Sequence, residues 1–280
     1  MVGRITGKKG APMNIIEFWN IARPSACFRY AITVVFAAVI ERAPSYSLLP
    51  LFLAGFFFVA GIYAFDDIED LEEDRINHPE RPLPSGKLSL SSARFFGYGC
   101  LLTSVLLTAL MDLWTALFIL VISFASVHPS LHRLTQGHWL GRGLSIFVFI
   151  VSSFYMGAAG SAGPISRRLF LLAIAIGILH LATRVIGDEV DQEGDRRRLR
   201  TLPTAHPAHF RYFIRYTLML SALLLPLPFF FGFGALYLVF SLPVAFRILS
   251  HGRTWHVDNA GTRPSHILAA VVFVGALLSR

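Results

Sequence analysis

The chain alternates long apolar stretches with short polar segments over most of its 280 residues. A membrane-spanning helix needs about 20 mostly apolar residues, and these stretches approach that length. The pattern predicts an all-α fold, a multi-span transmembrane helical bundle that forms a single domain over residues 1–280. The predicted bundle has about nine helices, near residues 25–41, 48–66, 94–111, 113–128, 144–162, 168–187, 210–228, 232–249 and 265–279.

The composition supports a membrane location. Hydrophobic residues make up 54% of the chain and charged residues only 15%, whereas a soluble domain carries about 25% charged residues. Lys and Arg collect in the cytoplasmic loops of membrane proteins, which explains the net charge of +8 without nucleic acid as a partner. The basic residues favour a cytoplasmic N-terminus, because the segments that would then face outward hold only four arginines: Arg42, Arg167, Arg168 and Arg280.

Thirteen of the seventeen acidic residues lie in two groups, at positions 66–80 and 188–195. The first group begins DDIEDLEED and the second is DEVDQEGD. Each group follows an apolar stretch, and the predicted orientation brings both to the cytoplasmic side. Carboxylates within membrane segments are costly and tend to mark functional sites, so the two groups predict a site that holds cations.

The two acidic groups are followed by similar segments, Arg81-Pro-Leu-Pro84 and Arg200-Thr-Leu-Pro203. Asp66 and Asp188 begin the two groups and are 122 residues apart, a distance of about four predicted helices. Two copies of a four-helix unit in the same orientation, a parallel internal repeat, would produce this arrangement.

Six aspartates in these groups are spaced so that each set of three falls along one face of a helix. Like charges at this spacing repel, so both sets need counter-charge. Mg²⁺ prefers oxygen ligands and commonly links carboxylates to a substrate's phosphates; we therefore predict a Mg²⁺ site formed by Asp66, Asp70, Asp74, Asp188, Asp191 and Asp195. Nearby basic residues are predicted to balance a diphosphate: Arg81, Lys87, Arg133, Arg184 and the arginines at 196–198. The simpler alternative is two solvated acidic helix ends that pair with neighbouring arginines.

Other charged residues lie in or beside the predicted spans. Arg29 and His180 fall within spans, where ionisable groups usually face the interior of the bundle. The Arg23-Pro24 pair precedes the first span, and both a substrate role and a membrane-interface anchor fit that position.

The two acidic motifs, the RPLPSG segment and the nine-span layout resemble the UbiA superfamily of intramembrane prenyltransferases. The resemblance implies a central cavity that is capped on the cytoplasmic side by the two acidic loops. It also implies a Mg²⁺-dependent enzyme that ionises an isoprenyl diphosphate and transfers the prenyl group to a small-molecule acceptor within the membrane lipid. By motif position, catalysis would depend on Asp66, Asp70 and Asp191, and Arg133 would lie near the diphosphate.

The sequence departs from the family pattern at two positions. Asp66 stands where the family normally has Asn, and Gly187 precedes the second motif where many members have a basic residue. The resulting DDxxD segment is also typical of class I terpene synthases, so a terpene cyclase of the UbiA type is the alternative enzyme. A transporter built on repeats is a third hypothesis, and the identity of the acceptor stays open.

Overall fold

The computed structural model describes residues 15–128, 130–131, 134, 137–161, 163–190, 200–251 and 263–279, and within these ranges the fold is α-helical with no strand. The helices are α1 (Ile15–Ala22), α2 (Pro24–Ile40), α3 (Ser45–Glu69), α4 (Leu71–Asn77), α5 (Leu90–Ala109), α6 (Leu113–Val127), α7 (Trp139–Ala158), α8 (Arg167–Val190), α9 (Leu202–Ala205), α10 (Phe210–Leu224), α11 (Ala235–His251) and α12 (Arg263–Leu278), with a 3₁₀ turn at Leu227–Phe231. Each predicted span coincides with one of these helices, so the prediction of an all-α, multi-span bundle is confirmed.

Five of the described helices are long and apolar enough to cross a membrane: α3, α5, α7, α8 and α10 with its 3₁₀ extension. The bent pair α1 and α2 would make a sixth span, and α6 and α11 are shorter apolar helices. Large apolar side chains such as Phe95, Trp114 and Phe246 point outward and are exposed, as expected of a surface that contacts lipid tails. The chain is an integral, multi-pass membrane protein.

The break between α1 and α2 is set by local chemistry. Arg23 takes a left-handed conformation with φ of 51°, which interrupts the helix, and Pro24 then begins α2, where its missing N–H removes no helical hydrogen bond. The two helices meet at an angle of 55°. The break leaves the Arg23 side chain beside the end of α3, where it reaches the first acidic group.

The described residues form two hydrophobic cores. The first is formed mainly by α1, α2, α3 and α5, with Phe58 and Leu101 among its buried residues. The second is formed mainly by α8, α10, α11 and α12, with Leu179 and Leu218 among its buried residues. Most residues of each core come from one half of the sequence, although Ala37 and Ile40 join the second core and Met156 and Ala159 join the first. The predicted repeat stays a prediction.

The two halves meet where α2 crosses α7. Gly157 lies so close to α2 that an added Cβ would stand 2.4 Å from the carbonyl oxygen of Val34. Small residues permit this kind of close helix packing in membranes. Tyr30 and Ser152 add a buried hydrogen bond of 2.6 Å across the same interface.

Candidate active site

The first acidic group occupies the end of α3, the short helix α4 and the turn that follows it. The backbone bends at Asp70 but its hydrogen bonds continue in helical register, because the Asp70 N–H donates to the Asp66 carbonyl and the Asp74 N–H donates to the Asp70 carbonyl, both at 2.8 Å. Asp67 and Asp74 are seven residues apart, which is about two helical turns, so they lie on the same face. Both side chains are buried, at 1% and 5% exposure.

Two arginines from outside α3 and α4 neutralise these buried carboxylates. Arg23, from the break before α2, forms an ion pair with Asp67. Arg81, from the RPLPSGK loop, bonds Asp74 at 2.5 Å and lies 3.7 Å from Asp67. The loop is fixed over the site because Leu83 and Leu88 are buried in the first core. Arg81 therefore lies next to the aspartates of the first group, and its predicted role in diphosphate binding stays a prediction.

One oxygen of each buried carboxylate makes no hydrogen bond with a described residue. The Oδ2 atoms of Asp67 and Asp74 are buried and have no hydrogen-bond partner within the described part of the chain. A buried anionic oxygen without a partner is costly, and hard cations such as Mg²⁺ take carboxylate oxygens as ligands. Burial raises the pKa of Asp74 above its ordinary value, and the nearby Arg81 opposes that shift. The arrangement fits a divalent cation.

The second acidic group begins in the last turn of α8. Asp188 is buried, and Arg142 from the first turn of α7 grips it with two hydrogen bonds, Nη2 to Oδ1 at 2.6 Å and Nε to Oδ2 at 3.3 Å. Arg184, one turn earlier in α8, adds a contact of 3.3 Å to Oδ1. Arg142 is itself 5% exposed, so this is a buried, charge-assisted pair with good geometry.

A second cap segment attaches to the start of α7. The Trp139 N–H donates to the Arg200 carbonyl at 2.8 Å, and the Arg200 N–H donates to the Gly137 carbonyl at 3.2 Å. Thr201 and Leu202 follow and are buried. The RTLP segment is thus tied to the second half as the RPLPSGK loop is tied to the first.

The remaining predicted residues divide into three groups. Asp66 and Asp70 are half-buried beside Asp67, whereas Lys87 is exposed and forms no ion pair with a described residue. Arg133, Asp191, Asp195 and the arginines at 196–198 lie outside the described residues. Within the described ranges, no group of three or more His, Cys, Asp or Glu side chains is close enough to hold a metal alone, so the six-aspartate Mg²⁺ site stays a prediction.

Sequence reasoning gave no site role to Asp67 or Arg142, and it left the role of Arg23 undecided. A signal for Asp67 was present, because Asp67, Asp70 and Asp74 have the same i, i+3, i+7 spacing as Asp188, Asp191 and Asp195. The two arginine pairs, Arg23 with Asp67 and Arg142 with Asp188, favour this register. This register aligns Asp67 with Asp188, one position away from the alignment of Asp66 with Asp188 used for the predicted repeat.

A cavity of about 380 Å³ lies between α2, α3, α7, α8 and α12. Its walls are mostly apolar, with Phe149 and Ile150 among the lining residues, and it also exposes Tyr63 and Gly187. Tyr63 is one turn before Asp67 in α3, and Gly187 adjoins Asp188 in α8. Both acidic helix ends therefore border one cavity, which confirms the central cavity that the resemblance implied.

The fold and the site define a class of protein: a membrane-embedded helical bundle with a central cavity and buried carboxylates at its rim. The sequence pattern of the UbiA prenyltransferase family matches residues 30–274. The chain belongs to this family.

Named relatives agree with the family assignment. The chain is 32% identical over 275 residues to digeranylgeranylglyceryl phosphate synthase of Methanopyrus kandleri, with 93% of this chain and 99% of the relative covered. A solved structure from work on digeranylgeranylglyceryl phosphate synthase superposes with a TM-score of 0.71 at 21% identity, over 95% of this chain and 98% of the other. A UbiA homologue of Archaeoglobus fulgidus, solved with GPP and Mg²⁺, also gives a TM-score of 0.71, at 15% identity over 94% and 99% of the two chains.

Proposed function

We propose that the chain is a Mg²⁺-dependent intramembrane prenyltransferase that adds a prenyl group to a glyceryl phosphate lipid. The observation that carries the proposal is the pair of buried carboxylate oxygens on Asp67 and Asp74, which are unpartnered among the described residues and lie beside Arg81. Asp67 follows Tyr63, which lines the apolar cavity, by one helical turn. Mg²⁺ and GPP bound to a homologue of the same fold support this choice of cation and donor.

The acceptor class follows from the name of the relatives. Digeranylgeranylglyceryl phosphate carries two geranylgeranyl groups on a glyceryl phosphate, so a prenyltransferase that completes it needs an acceptor with one such group. The acceptor would be geranylgeranylglyceryl phosphate, a lipid with a free hydroxyl and a phosphate, and the donor would be geranylgeranyl diphosphate. The relative in Methanopyrus kandleri is covered almost completely by this chain, which supports the same reaction here.

In the proposed reaction, the bond between the allylic carbon and the diphosphate oxygen breaks, and the diphosphate leaves with the bonding electrons. The acceptor hydroxyl oxygen attacks the allylic carbon, an ether bond forms, and the hydroxyl proton is released. When bound, Mg²⁺ neutralises the diphosphate and stabilises charge on the leaving oxygen. Its ligands would be Asp67, Asp70 and Asp74 from the first group, with Asp66 beside them, and Asp188, Asp191 and Asp195 from the second.

In this proposal, basic side chains bind the diphosphate and apolar side chains shield the allylic cation from water. Arg81 holds Asp74 and lies at the rim, where it can also meet a diphosphate oxygen. Arg184 lines the cavity and contacts Asp188, and Arg133 and Lys87 remain proposed diphosphate contacts. The apolar walls formed by residues such as Phe149 and Ile150 keep water from the allylic cation, which water would otherwise quench. By the distribution of Lys and Arg, the rim of the cavity faces the cytoplasm.

The test is a reaction with purified protein, geranylgeranyl diphosphate and Mg²⁺, with and without geranylgeranylglyceryl phosphate. We expect the ether product only when the acceptor is present, no product in EDTA, and recovery when Mg²⁺ is restored. A cyclic hydrocarbon released without acceptor would instead establish the terpene cyclase. Absence of any diphosphate release from the donor would reject both enzymes and favour a transporter.

A further inference from the structure

Arg29 is a cation on a membrane helix with no acidic partner among the described residues. It is the sixth residue of α2, its side chain is exposed, and it lines the central cavity. Its described hydrogen bond is made by its backbone carbonyl, which accepts from Thr33 Oγ1 at 3.0 Å. Ionisable residues inside membrane segments are expensive and by default mark a functional site that needs a named partner.

The depth of Arg29 separates it from the aspartates. A helix rises about 1.5 Å per residue, so Arg29 lies about 9 Å further into the bundle than Arg23, which pairs with Asp67. Tyr63 and Arg184 each precede a buried aspartate of their own helix by one turn, and both line the cavity together with Arg29. Arg29 therefore belongs to a polar belt below the carboxylates, inside the cavity.

Neither the diphosphate nor the prenyl chain of the donor needs a cation at the position of Arg29. The diphosphate has Arg81 and the aspartates at the rim, and the prenyl chain is a hydrocarbon that needs no charge. Arg184, the other arginine in the described lining, already contacts Asp188 at 3.3 Å. Arg29 is left to meet a second anion that enters the same cavity.

We propose that Arg29 binds the phosphate of the acceptor and selects for a phosphorylated acceptor over a neutral one. This inference rests on the proposed function. The hydroxyl that attacks the allylic carbon and the phosphate are attached to the same glycerol unit, so a phosphate contact just below the rim would place the hydroxyl near the donor. An arginine guanidinium suits this task because it stays charged and can bond a phosphate with two N–H groups.

The chain contains a matched control. Arg215 is the sixth residue of α10, just as Arg29 is the sixth residue of α2, and it too is exposed. Arg215 does not line the central cavity. A cation that merely reaches from such a depth to lipid phosphates would behave alike at the two positions.

The experiment compares wild type with Arg29→Ala, Arg29→Lys and Arg215→Ala in lipid nanodiscs. Binding of geranylgeranylglyceryl phosphate and of its dephosphorylated alcohol is measured directly, and KM is measured separately for donor and acceptor. We expect Arg29→Ala to weaken phosphate-acceptor binding and raise acceptor KM by tenfold or more, with donor KM within twofold. Binding of the alcohol should be unchanged, Arg29→Lys should recover part of the loss, and Arg215→Ala should match wild type.

Two results would overturn the assignment. A rise in donor KM without a change for the acceptor would place Arg29 on the diphosphate. Equal, small effects of Arg29→Ala and Arg215→Ala would make both arginines lipid anchors. Failure of the proposed function looks different, because wild-type protein would then bind donor with Mg²⁺ yet form no ether product with any glyceryl phosphate acceptor.

Discussion

The two acidic groups share a spacing but differ in how their buried aspartates are held. In the first half, Arg23 and Arg81 engage one oxygen of Asp67 and one of Asp74, and the second oxygen of each has no partner within the described residues. In the second half, both oxygens of Asp188 are bonded by Arg142 and one also meets Arg184. The first group therefore presents unpartnered oxygens to the proposed cation, whereas Asp188 would meet a cation only through oxygens that arginines already bond.

The largest expected effect comes from removing a charge in the first group. Asp67→Asn and Asp74→Asn each replace an oxygen that faces the proposed cation, so turnover should fall by about 100-fold or more. Rates at saturating donor and Mg²⁺ would check this. The matched control is Glu72→Gln, which alters an exposed residue paired with Arg75 and should leave the rate within twofold. Near-normal rates in both aspartate variants would remove the first group from catalysis.

The second prediction concerns Arg142. Removing one member of a buried ion pair costs about 3–5 kcal/mol, because the other charge is left uncompensated. Arg142→Ala should therefore lower the thermal unfolding temperature in detergent, with the contact from Arg184 moderating the loss. The double variant Arg142→Ala with Asp188→Ala should recover part of the stability. If the double variant were no more stable than Arg142→Ala, the pair would not account for the effect.

The third prediction tests the contact between the halves. Gly157→Ala forces a Cβ against the backbone of α2, and overpacking of this kind costs about 1–3 kcal/mol. The unfolding temperature should fall. Gly99→Ala is the control, since nothing lies within 4 Å of the added Cβ; equal behaviour of the two variants would contradict the close crossing of α2 and α7.

The smallest effect separates two basic residues of one loop. Arg81 bonds Asp74 and is partly buried, whereas Lys87 is exposed. Exposed charge contacts are screened and contribute little, so Arg81→Ala should raise donor KM several-fold more than Lys87→Ala. Titration of donor against each variant measures this, and the reverse order would show that Lys87, not Arg81, meets the diphosphate.

Much of the fold could be predicted because membrane helices are recognisable in a sequence as long apolar stretches. All nine predicted spans coincide with helices, and the bent α1–α2 entry follows from Arg23 and Pro24, although the sequence alone did not reveal the bend. The span near 144–162 was predicted too late, since α7 begins at Trp139 and includes Arg142. In a hydropathy pattern a charged residue indicates a loop, but the charge of Arg142 is neutralised by Asp188 inside the bundle.

The two acidic motifs predicted where a candidate site would lie, but not every residue that the structure brings together there. Arg81 was predicted near the first motif because it follows that motif in the chain, and the structure places it against Asp74; its contact with a diphosphate stays a prediction. Asp67 and Arg142 were missed because their importance depends on pairing across long separations in sequence, and burial of a carboxylate is not visible in a run of acids. The sequence indicated that Arg29 is a charge within a membrane span. Only the structure showed that it lines the central cavity, where a ligand could meet it.

The most direct test is anomalous diffraction from Mn²⁺ soaked with geranylgeranyl diphosphate into crystals of the protein. We predict metal peaks in coordination contact with Asp67 or Asp74, with the diphosphate bridging towards the second acidic group at the rim of the cavity. Metal found elsewhere, or a diphosphate bound without contact to either acidic group, would contradict the site.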